Sequence, residues 1–130
     1  MASIHKSITI HRPAEQVWDA MRDVGALHTR LVVGFVTATR LDGNVREVSF
    51  ANGMKARETI IDVDDQRRRV VWSATGGPLT HHNASAQVIP AGPSCEVRWI
   101  ADLLPNELAS NIEVMIEQGL AAMKRTLEEA

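Results

Sequence analysis

Apolar and polar residues alternate at the start of the chain and then change to a helical spacing. Isoleucines share one face of residues 3–10 at a period of two, which predicts a half-buried strand. Val17 and Met21 then recur at a helical spacing, which predicts a helix that ends near Gly25. A second, short helical turn is expected over residues 26–31.

Further along the chain, short apolar stretches are separated by turn residues. Asp42, Gly43 and Asn44 form a strong hairpin signal between two such stretches. Short strands at regular spacing are typical of a meandering antiparallel sheet, which would have seven strands with the first one included. The six further strands are expected over residues 35–41, 45–50, 55–63, 69–75, 80–89 and 95–104.

The last part of the chain has an apolar stripe with the period of a helix. It predicts one long helix from Asn106, which suits a cap position, to Glu129. Gly119 lies on the apolar face, where glycine costs about 1 kcal/mol relative to alanine. Two explanations stay open, a close approach of another group or an empty space in which leucine would be tolerated. The stripe consists of Leu108, Ile112, Met115, Ile116, Leu120, Met123 and Leu127.

This order of elements predicts an α+β fold. A strongly twisted seven-stranded sheet has to curl, and one long helix laid across its concave side covers that side incompletely. The space left between helix and sheet is suited to a ligand, and Met115 and Gly119 would be the helix positions beside it.

Composition and charge exclude several functional classes. The chain has 130 residues, which fits one domain over 1–130. The formal net charge is −2 with acids and bases mixed, which argues against a nucleic-acid partner. Cys95 is the only cysteine, so no intrachain disulfide can form and a reducing compartment fits best. No apolar run approaches the roughly 18 residues that a membrane span needs, and we therefore expect a cytoplasmic location.

Two segments near the ends of the chain carry a family resemblance. They are ITIHRPAEQVW at residues 8–18 and GLAAMK at residues 119–124. With the order of elements, they resemble the START-like or Bet v-type (SRPBCC) superfamily, which includes small bacterial proteins of the polyketide cyclase/dehydrase type. The resemblance implies a helix-grip fold, in which a curved seven-stranded antiparallel sheet wraps around a long C-terminal helix. It also implies a small hydrophobic molecule as the partner.

The central region is similar to the plant abscisic-acid receptors, which belong to the same superfamily. The similar segments are GNVREV at 43–48, RE at 57–58, DDQRR at 64–68 and WSATGG at 72–77.

The receptor resemblance nominates residues for a pocket. Val48 and Phe50 match inward positions of a receptor strand, and Trp72 and Ala74 match inward apolar positions. Glu58 resembles the acid that the receptors point into their pocket, where it meets the ligand through water.

Other positions depart from the receptor pattern. Ala84 stands where the receptors carry a pocket tyrosine. Residues 76–79 resemble the latch loop, but Leu79, Thr80 and His81 replace the residues that follow the receptor glycines. The loop over 51–55 is shorter than the receptor gate. Abscisic acid is therefore not the expected ligand, although His81 is retained as a candidate at the pocket.

Strand parity gives an independent prediction for Glu58. If Glu58 faces inward, so do Ala56 and Ile60, while Ile61 is exposed. A buried carboxylate needs a partner, and Arg46 has the parity to supply the cation. A surface position for Glu58 stays open.

Glu58 and His82 are the candidates for acid/base catalysis. His82 shares parity with Ala84, and an imidazole at the cavity mouth can bond a ligand carbonyl or move a proton. His81 faces the opposite side of the strand, so we do not expect the two rings to share a metal ion. The sequence contains no cofactor or phosphate-binding motif, and none is predicted.

Three functions fit these patterns. The first is binding of a small hydrophobic ligand in an internal cavity. The second is a polyketide cyclase or dehydratase that uses Glu58 or His82 in the same cavity, so enzymatic activity stays undecided. The third is an interaction or stress protein with a filled core. A cavity with a charged group inside favours the first two, and only turnover separates them. A homodimer stays open.

Overall fold

The computed structural model describes residues 1–130 and consists of one seven-stranded sheet, two α-helices and two short helical turns. The strands are β1 Ala2–Ile10, β2 Val36–Asp42, β3 Val45–Phe50, β4 Lys55–Asp64, β5 Arg69–Thr75, β6 His81–Ala91 and β7 Ser94–Leu104. The helices are α1 Ala14–Met21 and α2 Ala109–Glu128, with a π-helical turn at Leu27–Leu31 and a 3-10 turn at Asn106–Leu108.

The sheet is a meander from β2 to β7, and β1 is added at the edge beside β7. The spatial order is β1-β7-β6-β5-β4-β3-β2, and all neighbours are antiparallel. The predicted α+β helix-grip fold is confirmed. Register shifts between Val36 and Ala38 and between Ile60 and Asp62 interrupt β2 and β4. Such bulges increase local twist, which helps to bend the sheet around α2.

The two helices cover different parts of the concave face. The helix α1 packs against β6 and β7, and its buried Val17 and Trp18 join the core at that end of the molecule. The helix α2 lies against β1, β7 and the Leu27–Leu31 turn. Its buried positions are Ile116 in the first half and Gly119, Leu120, Ala122, Met123 and Leu127 in the second half. Neither helix is long and apolar enough to cross a membrane.

Some predicted boundaries are wrong. The first helix ends at Met21 rather than near Gly25. The α2 helix begins at Ala109, because the Leu108 N–H bonds to the Pro105 carbonyl and tightens the preceding turn. Asn106 makes no capping hydrogen bond with its side chain.

Candidate functional site

A large cavity lies between α2 and the concave face of the sheet. Its volume is about 1070 Å³, and 23 of its 37 lining residues are hydrophobic. Strands β3 to β7, the Leu27–Leu31 turn and the first half of α2 all contribute to its wall. The interior is therefore not filled by side chains, which disfavours the interaction protein with a closed core.

Two loops and α2 form the mouth of this cavity. Met54 and Val114 line the cavity and are about half-exposed. Exposed residues of the 51–55 loop and of the 76–79 loop also line it. These are the loops that correspond to gate and latch in the receptor resemblance.

Aromatic side chains are concentrated on the cavity wall. The chain has three Trp, two Phe and no Tyr, and all of them except Trp18 line the cavity. Phe35 and Phe50 meet edge to face with 5.4 Å between ring centroids. Trp72 and Trp99 do so at 5.7 Å. Such pairs offer flat apolar surface to a ligand.

An ion pair between β3 and β4 is the charged feature inside this apolar wall. Arg46 and Glu58 are directly opposite in the register, and Arg46 Nε donates to Glu58 Oε1 at 2.8 Å. The two residues are only 4% and 8% exposed. Arg46 Nη1 also donates to the Val24 carbonyl at 3.1 Å, and the guanidinium lies 5.5 Å from the centroid of the Trp72 ring. The inward orientation of Glu58 and its pairing with Arg46 are as strand parity predicted.

One hydrogen bond joins the two side chains, and each keeps a free polar atom. Glu58 Oε2 and Arg46 Nη2 bond to no protein group. Every side-chain nitrogen or oxygen that is sealed from solvent has a hydrogen-bond partner. Because Glu58 Oε2 and Arg46 Nη2 have none, neither atom is sealed. Since both residues also line the cavity, we infer that these two atoms are accessible from it. The cavity therefore offers the Arg46 Nη2 group as a donor and Glu58 Oε2 as a carboxylate acceptor.

His82 lies where β5 and β6 separate. The pairing of these strands ends at Trp72 and Ala84, and beyond it the Ala74 N–H donates to His82 Nδ1 at 2.9 Å. The Ser73 hydroxyl bonds to the His82 carbonyl. Burial lowers the pKa of His82, with a smaller contribution from the neighbouring His81. The neutral ring that accepts at Nδ1 carries its proton at Nε2.

The structure places most of the predicted pocket residues on the cavity wall. They are Arg46, Val48, Phe50, Glu58, Trp72, Ala74, His82 and Met115. Their roles toward a ligand stay predictions.

Three predicted pocket residues do not line the cavity. His81 is exposed on the opposite side of β6, where it borders a smaller outer hollow, because adjacent strand residues alternate between faces. Ala84 faces inward but is 1% exposed within the core. At Gly119 a Cβ atom would lie 2.7 Å from the Trp99 ring and 3.3 Å from Phe35. The interpretation that Gly119 borders an empty space is therefore wrong, and a leucine side chain would clash there.

Sequence reasoning missed two aromatic residues of the wall. Trp99 has the same strand parity as Val97 and Ala101, which are both fully buried. Its inward direction therefore follows from that parity. Phe35, the first residue of the predicted strand over 35–41, lies in the turn before β2, so strand parity gives no direction for its side chain.

Comparison with protein families settles where the chain belongs. The family model for polyketide cyclase/dehydrase and lipid transport proteins matches residues 1–128. The chain belongs to this family. The family lies within the SRPBCC superfamily, as the terminal segments indicated. A search of curated protein sequences gives no match.

Solved structures share the fold of this family member at low identity. XoxI from Bacillus cereus has a TM-score of 0.87 and 22% identity, with 98% of this chain and 96% of that chain covered. Norcoclaurine synthase from Thalictrum flavum, in complex with dopamine and hydroxybenzaldehyde, has a TM-score of 0.74 and 20% identity, with 98% and 84% covered. The di-domain ARO/CYC protein BexL has a TM-score of 0.84 and 15% identity, with 98% of this chain but 47% of BexL covered.

Proposed function

We propose that this family member binds a small, largely hydrophobic molecule in the cavity between α2 and the sheet. The observation that carries the proposal is the cavity itself, whose wall is mostly apolar and whose volume is about 1070 Å³. Ligand pockets of small molecules are typically about 300–1000 Å³ and contain a few polar groups in an apolar lining. The Arg46–Glu58 pair and His82 are such groups here.

Binding of a neutral fluorophore tests this function. N-phenylnaphthylamine should gain fluorescence in the wild-type protein and quench Trp72 and Trp99, which both line the cavity. Ala56 also lines it, so Ala56→Leu should weaken binding by filling space. Ala38→Leu is the matched control, because Ala38 is exposed on β2 outside the cavity. Absence of binding to the folded wild-type protein would refute the proposal.

A second candidate function is a cyclase or dehydratase of the polyketide type. Glu58 lies opposite Ala74 in the register, and the Ala74 N–H holds the His82 ring, so the two acid/base candidates flank one residue. A carboxylate and a neutral imidazole N–H in one cavity suit proton transfer on a bound carbonyl compound. The ARO/CYC protein and the synthase among the structural relatives favour this option.

Mass spectrometry distinguishes binding from turnover. A ligand that co-purifies with the protein should be identified first by native mass spectrometry. Incubation with that compound should then leave both its mass and its chromatographic retention unchanged if the protein only binds it. Dehydration instead removes one water, and cyclisation without dehydration gives an isomer of the same mass and different retention. Loss of this conversion in Glu58→Gln or His82→Asn would assign the catalytic group.

A further inference from the structure

The free atoms of the ion pair restrict the chemistry of the ligand. Glu58 Oε2 is an acceptor without a protein donor, and Arg46 Nη2 is a donor without a protein acceptor. Both residues are buried, with 4% of Arg46 and 8% of Glu58 exposed, and both line the cavity. A ligand that leaves these two atoms unpaired loses the hydrogen bonds that they would otherwise make.

The charge balance of the wall restricts the ligand further. The Arg46 guanidinium and the Glu58 carboxylate neutralise each other inside the cavity. The other charged residues that line it, Glu47, Lys55 and Arg57, are all exposed. An ionised ligand would therefore add an uncompensated charge to an apolar space, which is strongly unfavourable.

We propose that the cavity selects an uncharged, flat ligand with a hydroxyl group beside a carbonyl group, whose hydroxyl donates to Glu58 Oε2 and whose carbonyl accepts from Arg46 Nη2. The edge-to-face pairs Phe35–Phe50 and Trp72–Trp99 supply the flat apolar walls on which such a ligand packs. This inference rests on the proposed binding function and adds the recognition chemistry to it.

Three matched naphthyl compounds test the inference by displacement of N-phenylnaphthylamine. Naphthyl hydroxymethyl ketone carries both groups, and naphthyl ethyl ketone replaces the hydroxyl by a methyl group of similar size. Naphthylglyoxylate is the anionic analogue. The hydroxymethyl ketone should bind the wild-type protein about tenfold tighter than the ethyl ketone, because a hydrogen bond to a buried carboxylate outweighs the lost apolar contact. Naphthylglyoxylate should bind weakest.

Glu58→Gln should change this order. Removing the carboxylate leaves the Arg46 charge unpaired, so naphthylglyoxylate should gain affinity and the hydroxymethyl ketone should lose it. Glu96→Gln is the control with the same charge change, because Glu96 pairs with Arg98 outside the cavity and should leave the order unchanged.

The outcomes separate the inference from the function on which it rests. Equal affinity for all three compounds, with normal fluorophore binding, would overturn the polar recognition and leave the binding function intact. Failure of the fluorophore to bind would overturn both. The affinities of the three compounds for the wild-type protein test the inference even if Glu58→Gln does not fold.

Discussion

Burial of Arg46 and Glu58 is expensive, and their immediate surroundings reduce the cost. A charge withdrawn from water needs hydrogen bonds as well as a counter-ion to be tolerated. The guanidinium has both, since it bonds to Glu58 and to the Val24 carbonyl and lies near the Trp72 ring. The carboxylate has one protein bond and one oxygen that reaches the cavity. The guanidinium thus makes two hydrogen bonds to the protein and the carboxylate makes one, and each side chain keeps one polar group without a protein partner.

Replacing one partner of this pair should destabilise the protein strongly, and replacing the second partner as well should add less to the loss. Arg46→Met or Glu58→Gln alone should lower the free energy of unfolding by about 3–5 kcal/mol, because either change leaves a buried group without its partner. The double variant should lose less than the sum of the two. Urea unfolding of the four proteins measures the coupling.

The exposed pair Arg98–Glu96 provides the control for this cycle. Its side chains are 54% and 36% exposed, so the same substitutions there should cost about 0–1 kcal/mol. Equally small losses at Arg46 and Glu58, without coupling, would show that the cavity pair adds nothing to stability.

The surroundings of Gly119 could not be predicted from the sequence. A mid-helix glycine on an apolar face is compatible with empty space or with a close neighbour. Only the position of the Trp99 ring, 2.7 Å from where a Cβ would stand, decides between them. That ring belongs to β7, so the decisive contact is between elements far apart in the sequence.

At the scale of elements, local patterns predicted the strands well and their irregularities poorly. The receptor resemblance nominated Glu58 as an inward residue, and period-two alternation then predicted that Ile61 is exposed; both are observed. The bulge after Ile60 could not be predicted, because it depends on how β4 follows the curvature of the whole sheet. The separation of β5 and β6 beside His82 is likewise a property of two strands together.

The link from His82 to β5 should make stability depend on pH. The folded protein has a lowered His82 pKa, so the unfolded chain binds the proton more readily, and stability falls as pH drops below about 6.5. Protonation also removes the Nδ1 lone pair that accepts from the Ala74 N–H. Urea unfolding at several pH values on both sides of neutrality measures the loss.

His82→Asn is the matched variant for this pH dependence. Its side-chain oxygen can accept from the Ala74 N–H but does not titrate, so the loss of stability at acidic pH should shrink. The other four histidines are unchanged and contribute equally to both proteins. An identical pH dependence in the two proteins would exclude His82 as the group responsible.

At the scale of the whole molecule, the fold divides into a packed end and a hollow end. Ile10, Val17 and Val97 are fully buried where α1 meets the sheet. Met115, Phe50 and Trp72 instead surround the cavity. The sequence implied such a cavity through the mismatch between one helix and a curved sheet and through the family resemblance. It did not predict the shape of the cavity, because that shape depends on contacts among all of these elements.

This division should be visible within α2 itself. Its first half, which includes Ile112 and Met115, lies over the cavity, whereas Leu120 and Leu127 in the second half are buried in the core. Local opening requires less energy where fewer apolar contacts are broken. Amide hydrogens of the first half should therefore exchange faster than those of the second half, measured by mass spectrometry of peptides.

Ligand binding should remove the difference between the two halves. A molecule that fills the cavity gives the first half of α2 the apolar contacts that it lacks, and binding to the folded state alone stabilises it by mass action. N-phenylnaphthylamine should then slow exchange more strongly there than at the amides of β7 around Val97, which is already fully buried. Uniform protection along α2 without ligand would contradict this prediction. It would mean that the first half of the helix is already stable over the empty cavity and does not need a ligand to become ordered.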